Sequence, residues 1–184
     1  NYIYRYADTS GSTEFTNRWE EFTATGSRLV TTRSGANAGS STYVSRHTVV
    51  DDLFVLETST ATGTDGGGPF RNTMTYQPAA MGDPAFRVCE GRTWTIPAVG
   101  VTSQSLRGQF SSQTDPGTIR IVAIRESVTV PAGTFPTVRY TKTMNSGRGQ
   151  VLDEFWKSIE HGVTVKRNSA VPGAVATEVL LSIK

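Results

Sequence analysis

Apolar and polar residues alternate along most of this chain. Tyr2, Tyr4 and Tyr6 share one phase, with Ile3 and Arg5 in the other, the period of two that a half-buried strand requires. Phe15, Asn17, Trp19 and Glu21 repeat the pattern, and Phe22 falls out of phase, which predicts a bulge or bend near residues 20–22. Alternation returns over 42–50 through Tyr43, Ser45, His47 and Val49. Asp51-Asp52 and the run 53–58 then predict a hairpin. Over 118–130, Ile119, Ile121 and Ala123 hold one phase while Ile124, Val128 and Val130 hold the other, a slip that predicts another bulge. Residues 101–111 read as one strand, and segments from 135–144 to 174–183 complete the set. The Gly- and Ser-rich stretches 34–41 and 60–69 read as loops, the second a mobile one. The irregular segment 77–91, with Pro78, Gly82 and Pro84, has room for a short helical turn. No segment of period 3.6 exceeds two turns. The pattern predicts an all-β protein, a single antiparallel domain over 1–184 with about eleven strands, arranged as a sandwich or partly closed barrel.

Composition sharpens this picture. Of 184 residues, 27 are Thr, 17 Ser, 18 Gly and 18 Val, with 17 aromatics, a mixture that favours strands and turns over helices. No run of about 18 apolar residues exists, so no transmembrane segment is expected. The net charge of +2 comes from 14 Arg, 4 Lys and 16 acids that alternate along the chain. A nucleic-acid partner would call for a basic stripe, and none is expected. The chain opens at Asn1 without Met, which suggests a processed or trimmed N-terminus, and its Thr-rich, Lys-poor composition suits an exported bacterial protein.

The candidate chemistry is sparse. One cysteine and two histidines form neither an internal disulfide nor a structural zinc site. Two arginines flank Cys89, an arrangement that lowers a thiol pKa, but no local pattern sets a His beside it. His47 reads as a strand histidine and His161 as a turn histidine. Adjacent carboxylates at Glu20-Glu21, Asp51-Asp52 and Asp153-Glu154 point to opposite faces of a strand and make no acid–base dyad by themselves. The runs at 8–11 and 65–68 lack the ligand count of a calcium loop and read as turns. Phosphate-binding, dinucleotide and serine-hydrolase motifs are missing. The expectation is a protein that is not an enzyme and carries no cofactor or metal.

The most specific stretch is C-terminal. It runs Val130-Pro131-Ala132-Gly133-Thr134-Phe135, then Phe155-Trp156-Lys157-Ser158-Ile159-Glu160-His161-Gly162-Val163, then Glu178-Val179-Leu180-Leu181. This order resembles exported bacterial proteins and lipoproteins of undefined function, over about sixty residues. The resemblance implies a half-barrel domain similar to lipoprotein-localisation carriers, with a periplasmic, outer-envelope or extracellular location. Its recurring positions have a structural explanation: Pro131 and Gly133 shape a tight turn, Phe135 returns the chain to the core, and Trp156 plugs one end of an open sheet. The remaining expectation is a surface. Tyr2, Tyr4, Tyr6, Trp19, Trp94 and Trp156 are the candidate residues for a ligand or partner face, and the first and last strands are the candidate open edges. A structural or accessory subunit that engages a protein partner or itself is the leading functional reading. A carrier of an acyl chain or other apolar ligand is the alternative.

Overall fold

The structure, a computed structural model, describes residues 2–8, 11–23, 25–33, 39–65, 68–84, 88–106, 108–146 and 149–184. Across the described residues it is all-β, with fourteen strands where about eleven were expected. They are β1 (Tyr2–Asp8), β2 (Gly11–Phe22), β3 (Gly26–Arg33), β4 (Gly39–Val50), β5 (Leu53–Asp65), β6 (Gly68–Pro84) and β7 (Thr93–Ile96), then β8 (Gly100–Ser105), β9 (Gly108–Gln113), β10 (Gly117–Val130), β11 (Gly133–Ser146), β12 (Gly149–Ser158), β13 (Thr164–Val171) and β14 (Ala174–Ile183). They form one antiparallel sheet that does not close, in the order β7-β10-β11-β12-β13-β14-β1-β2-β3-β4-β5-β6-β8-β9. The chain divides into two compact units. One holds Tyr2–Phe15, Val88–Pro97 and Asp115–Lys184; the other holds Thr16–Arg87 and Ala98–Thr114.

In the unit built around the C-terminal strands, Tyr4, Val130, Phe135, Trp156, Val165 and Leu180 pack into one buried cluster, with Tyr2, Phe15, Val128 and Ala132 against it. Four of these six core residues, Val130, Phe135, Trp156 and Leu180, come from the C-terminal segments singled out above. The turn between β10 and β11 folds back on β14, where the Ala132 N–H donates to the Leu180 carbonyl at 3.3 Å. Gly133 makes that turn possible at φ 135°, a value a side-chain-bearing residue avoids. Bulges aim side chains into the cluster. Between Trp156–Lys166 and Lys157–Thr164 the register inserts Val165, which is fully buried.

The long strands β10, β11 and β12 change their buried phase partway. β10 buries Ile119 and Ile121 and then Val130; β11 buries Phe135 and Thr137 and then Tyr140; β12 buries Asp153 and then Trp156 and Ser158. Each change passes from odd to even residues or back, so opposite faces are covered near the two ends. A 14-residue strand spans about 46 Å, longer than one covering layer extends. The phase slip expected over 118–130 is present as two irregularities, between Ile121 and Ala123 and between Ile124 and Glu126. At the second, Arg125 takes φ 59°. A Glu90 carboxylate oxygen accepts the Ile124 N–H at 3.0 Å, satisfying a donor beside the irregular stretch.

The other unit has a small core. Its buried residues include Leu53, Val55, Val99, Thr31 and His47. Three expectations are corrected here. Residues 60–65 continue β5 and 68–69 begin β6 instead of forming a mobile loop, with 66–67 outside the described residues. Thr58, Thr60, Thr62 and Thr64 sit opposite Arg46, Val44, Thr42 and Ser40 on one side. On the other they face Thr75, Thr73, Arg71 and Pro69. β-branched Thr suits a pleated surface without a core beneath it, and Thr60 and Thr73 share a hydroxyl hydrogen bond of 3.1 Å. Gly63 is where β4 crosses most closely, since a Cβ there would strike the Ser40 carbonyl. The second correction is that residues 77–84 extend β6 with no helical turn; residues 85–87 fall outside the description. The third is that 101–111 is a hairpin of β8 and β9. The expected flexible loop over 34–41 is described only at 39–41, which belong to β4.

Truncation should separate core from surface. Trp156→Ala and Leu180→Ala should each lower unfolding free energy by about 2–5 kcal/mol, and Trp19→Ala by less than about 1 kcal/mol. Urea unfolding monitored by circular dichroism measures this, and equal losses for Trp19 and Trp156 would contradict the assignment of the core.

Candidate functional site

The six aromatic candidates do not make one surface. Tyr4, Trp94 and Trp156 are buried; Tyr4 stacks on Phe15 with ring centroids 5.3 Å apart. The Arg92 guanidinium lies 4.6 Å from the Trp94 ring, and the Lys166 ammonium lies 4.7 Å from the Trp156 ring. Tyr2 is half-buried against the cluster. Tyr6 and Trp19 are exposed, on β1 and β2. Alternation alone gave a face for each residue and did not say which faces are covered.

The histidines and the cysteine have modest surroundings. The buried His47 ring places Nε2 2.9 Å from the Thr23 carbonyl; a carbonyl only accepts, so Nε2 carries the hydrogen. The ring also meets Phe54 edge-on at 5.1 Å. His47 thus ties β4 to the turn before β3. His161 lies in the turn after β12, edge-on to Phe135 at 5.8 Å. Cys89 is exposed. Among the described residues no three His, Cys, Asp or Glu side chains converge as a metal site. A groove of about 250 Å³ lined by Pro116, Gly117, Thr118, Thr143, Asn145 and Gln150 opens to solvent. It is open, where a carrier of an acyl chain uses an enclosed cavity.

A charged and aromatic belt crosses β11–β14. Tyr140 is fully buried and stacks on Phe155 at 4.9 Å. Arg167, 5.2 Å from the Phe155 ring, bonds the buried Asp153 carboxylate at 3.0 Å. Arg167 also pairs in register with Glu178, which faces Tyr6 on β1. Burial raises the Glu178 carboxyl, and nearby Arg167 offsets only part of this. The same burial, with Glu178 beside it, pushes the Tyr4 phenol up. These groups explain how polar side chains are held inside the sheet, and they place no acid and base around an open pocket.

The edges overturn one expectation. β1 and β14 are not open edges: they pair with each other, Tyr2 opposite Ile183 and Tyr6 opposite Glu178. The sheet ends instead at β7 and β9. β7 has four residues, buries Trp94 and Ile96, and is followed by Pro97, all features that blunt an edge. β9 reads Gly-Gln-Phe-Ser-Ser-Gln, with every residue exposed and no charge or proline. Phe110 is 63% exposed and the neighbouring Leu106 74%. The hairpin is pinned at both ends. Ser105 Oγ donates to the Gly108 carbonyl at 3.2 Å. The Thr114 N–H donates to the Val99 carbonyl at 2.8 Å, while the Val99 N–H donates to Thr114 Oγ1 at 3.0 Å. Antiparallel backbone groups alternate in direction, so with Thr114 turned toward Val99 the N–H and C=O groups of Gln109, Ser111 and Gln113 point away from β8. Sequence reasoning missed this edge because it read 101–111 as one strand. Leu106-Arg107-Gly108 was the available turn signal.

No protein family, curated protein or solved structure matches this chain.

The Glu178 carboxyl carries a pH prediction. A folded value raised above the unfolded 4.5 means that stability is complete below about pH 4 and declines as pH rises from there through the raised folded value. Glu178→Gln should therefore match the native chain near pH 4 and unfold at a higher temperature by pH 7. Melting temperatures measured from pH 4 to 8 test this; a gap that narrows as pH rises would refute it.

Proposed function

We propose that this chain is a non-catalytic structural or accessory subunit that joins a protein partner by accepting a strand along β9. The observation that carries this reading is an uncharged end strand whose six residues are all exposed, pinned at its base by reciprocal hydrogen bonds. A strand already fixed in its extended form loses little conformational entropy on pairing, and its outward backbone groups supply affinity without a pocket. The exposed Phe110 and Leu106 side chains add apolar area beside the ladder. The resemblance of the C-terminal stretch to exported bacterial proteins supports an envelope or extracellular setting for the assembly.

Proline substitution at two neighbouring positions tests the edge. Ser111→Pro removes an outward N–H, and Ser112→Pro removes one directed at β8. In native mass spectrometry of the chain isolated from its source, the unsubstituted protein should be found in a complex. Ser111→Pro should release the 19.9 kDa chain with its melting temperature nearly unchanged. Ser112→Pro should instead lower the melting temperature. Complexes untouched by Ser111→Pro would refute the reading.

A further inference from the structure

Resting on that edge reading, we infer that the strand accepted by β9 is β9 of a second copy of this chain, paired antiparallel about a two-fold axis at Ser111. Three features of the strand support this. First, β9 is self-complementary. With Ser111 opposite its own counterpart, Gln109 lies opposite Gln113 of the other copy, so the outward N–H and C=O groups of all three residues find partners in both directions. The two Gln side chains then meet on one face, where each amide is both donor and acceptor. Second, the same register sets Phe110 opposite Ser112 of the other copy and diagonal to the second Phe110, within reach of aromatic side chains. It thereby covers the large apolar side chain of β9, now 63% exposed. Third, the strand carries no charge, so two identical copies meet without the repulsion that a lysine or glutamate at this edge would cause.

The pairing also closes. A two-fold contact uses the same patch on both copies and consumes β9, while the opposite end of the sheet is β7, four residues long and followed by Pro97. The expected product is a dimer, not a fibre. The contact is a single short strand, well below the area of a standard interface, so affinity in the micromolar range or weaker is expected.

The test uses the purified full chain. Native mass spectrometry and light scattering over about 1 µM to 1 mM should show a species of twice 19.9 kDa that grows with concentration. In a Cys89→Ser background, Ser111→Cys should form a disulfide-linked dimer on mild oxidation, because residues facing each other across the axis fall within disulfide reach. Ser112→Cys, which faces Phe110, should not. Ser111→Lys and Ser111→Glu should each be monomeric alone, with dimerisation weakened at least tenfold, and should pair when mixed. That result excludes misfolding as the reason for the loss. A chain that stays monomeric, cross-linking at Ser112 in place of Ser111, or failure of the mixed Lys and Glu variants to pair would overturn the inference. If the pure chain is monomeric while Ser111→Pro still dissolves the complex from the source, self-pairing falls and the edge reading stands. If Ser111→Pro leaves that complex intact, both fall.

Discussion

The fold depends on the contact between the β10–β11 turn and β14. A chain with 36% hydrophobic residues and 27 threonines has too little apolar material to cover a fourteen-stranded sheet, so burial has to be concentrated. The Ala132 N–H on the Leu180 carbonyl fixes the turn against the strand, and Val130, Phe135, Trp156, Val165, Tyr4 and Leu180 fill the space enclosed. The chain ends depend on this contact too. Leu180 stands opposite Tyr4, so the first strand is held by the last at the point where the core is densest. Large-to-small changes at such positions remove transfer energy and leave a cavity together, which makes this cluster the part of the molecule least tolerant of change.

Away from that cluster, stability has another source. β4, β5 and β6 align threonines, serines and arginines in register, with Thr60 bonded to Thr73 and Ser103 bonded to Asn72 at 2.8 Å. Each cross-strand pair contributes roughly 0.2–1 kcal/mol, so the unit relies on many small terms and on a complete backbone ladder. Such a ladder has one place where pairing stops, the end strand. A sheet stabilised mainly by a hydrophobic core can leave its edges idle, whereas one stabilised mainly by its ladder gains directly from another strand.

Much of the architecture was legible in the sequence because period-two alternation is a local property. The class, the antiparallel pairing, the β10 irregularities and the turns at Gly133 and Gly162 follow from neighbouring residues. The core role of Phe135 followed from its placement after the Gly133 turn. Three things were not legible. Residues 60–65 read as a loop because Gly63 and the lack of apolar residues hide the cross-strand partners that make Thr58 through Thr64 a strand. The open edge was assigned to the chain ends because sequence order does not reveal that β1 and β14 neighbour each other. The candidate aromatic surface dispersed because Tyr4, Trp94 and Trp156 alternate as surface-strand residues do; only the folding back of β10–β11 makes Tyr4 and Trp156 interior, and only the fold buries Trp94, with Arg92 on its ring.

The two ends of the sheet show how composition separates a closed edge from an open one. At β7 the chain uses bulk: Trp94 and Ile96 are buried, Arg92 lies on the indole, and backbone bonds from Gly91 and to Arg92 tie the approach to Ile121. Another strand pairing there would meet Pro97 and a run of only four residues. At β9 the chain uses restraint instead. Hydrogen bonds at both ends of the hairpin hold the strand to β8, yet it carries neither the charge nor the proline that repels a neighbour. Such an edge is costly if unused, because an exposed, uncharged strand pairs with whatever extended backbone it meets. The combination is coherent when the strand has a partner to accept, and in the proposed two-fold pairing an identical strand satisfies the outward groups of Gln109, Ser111 and Gln113.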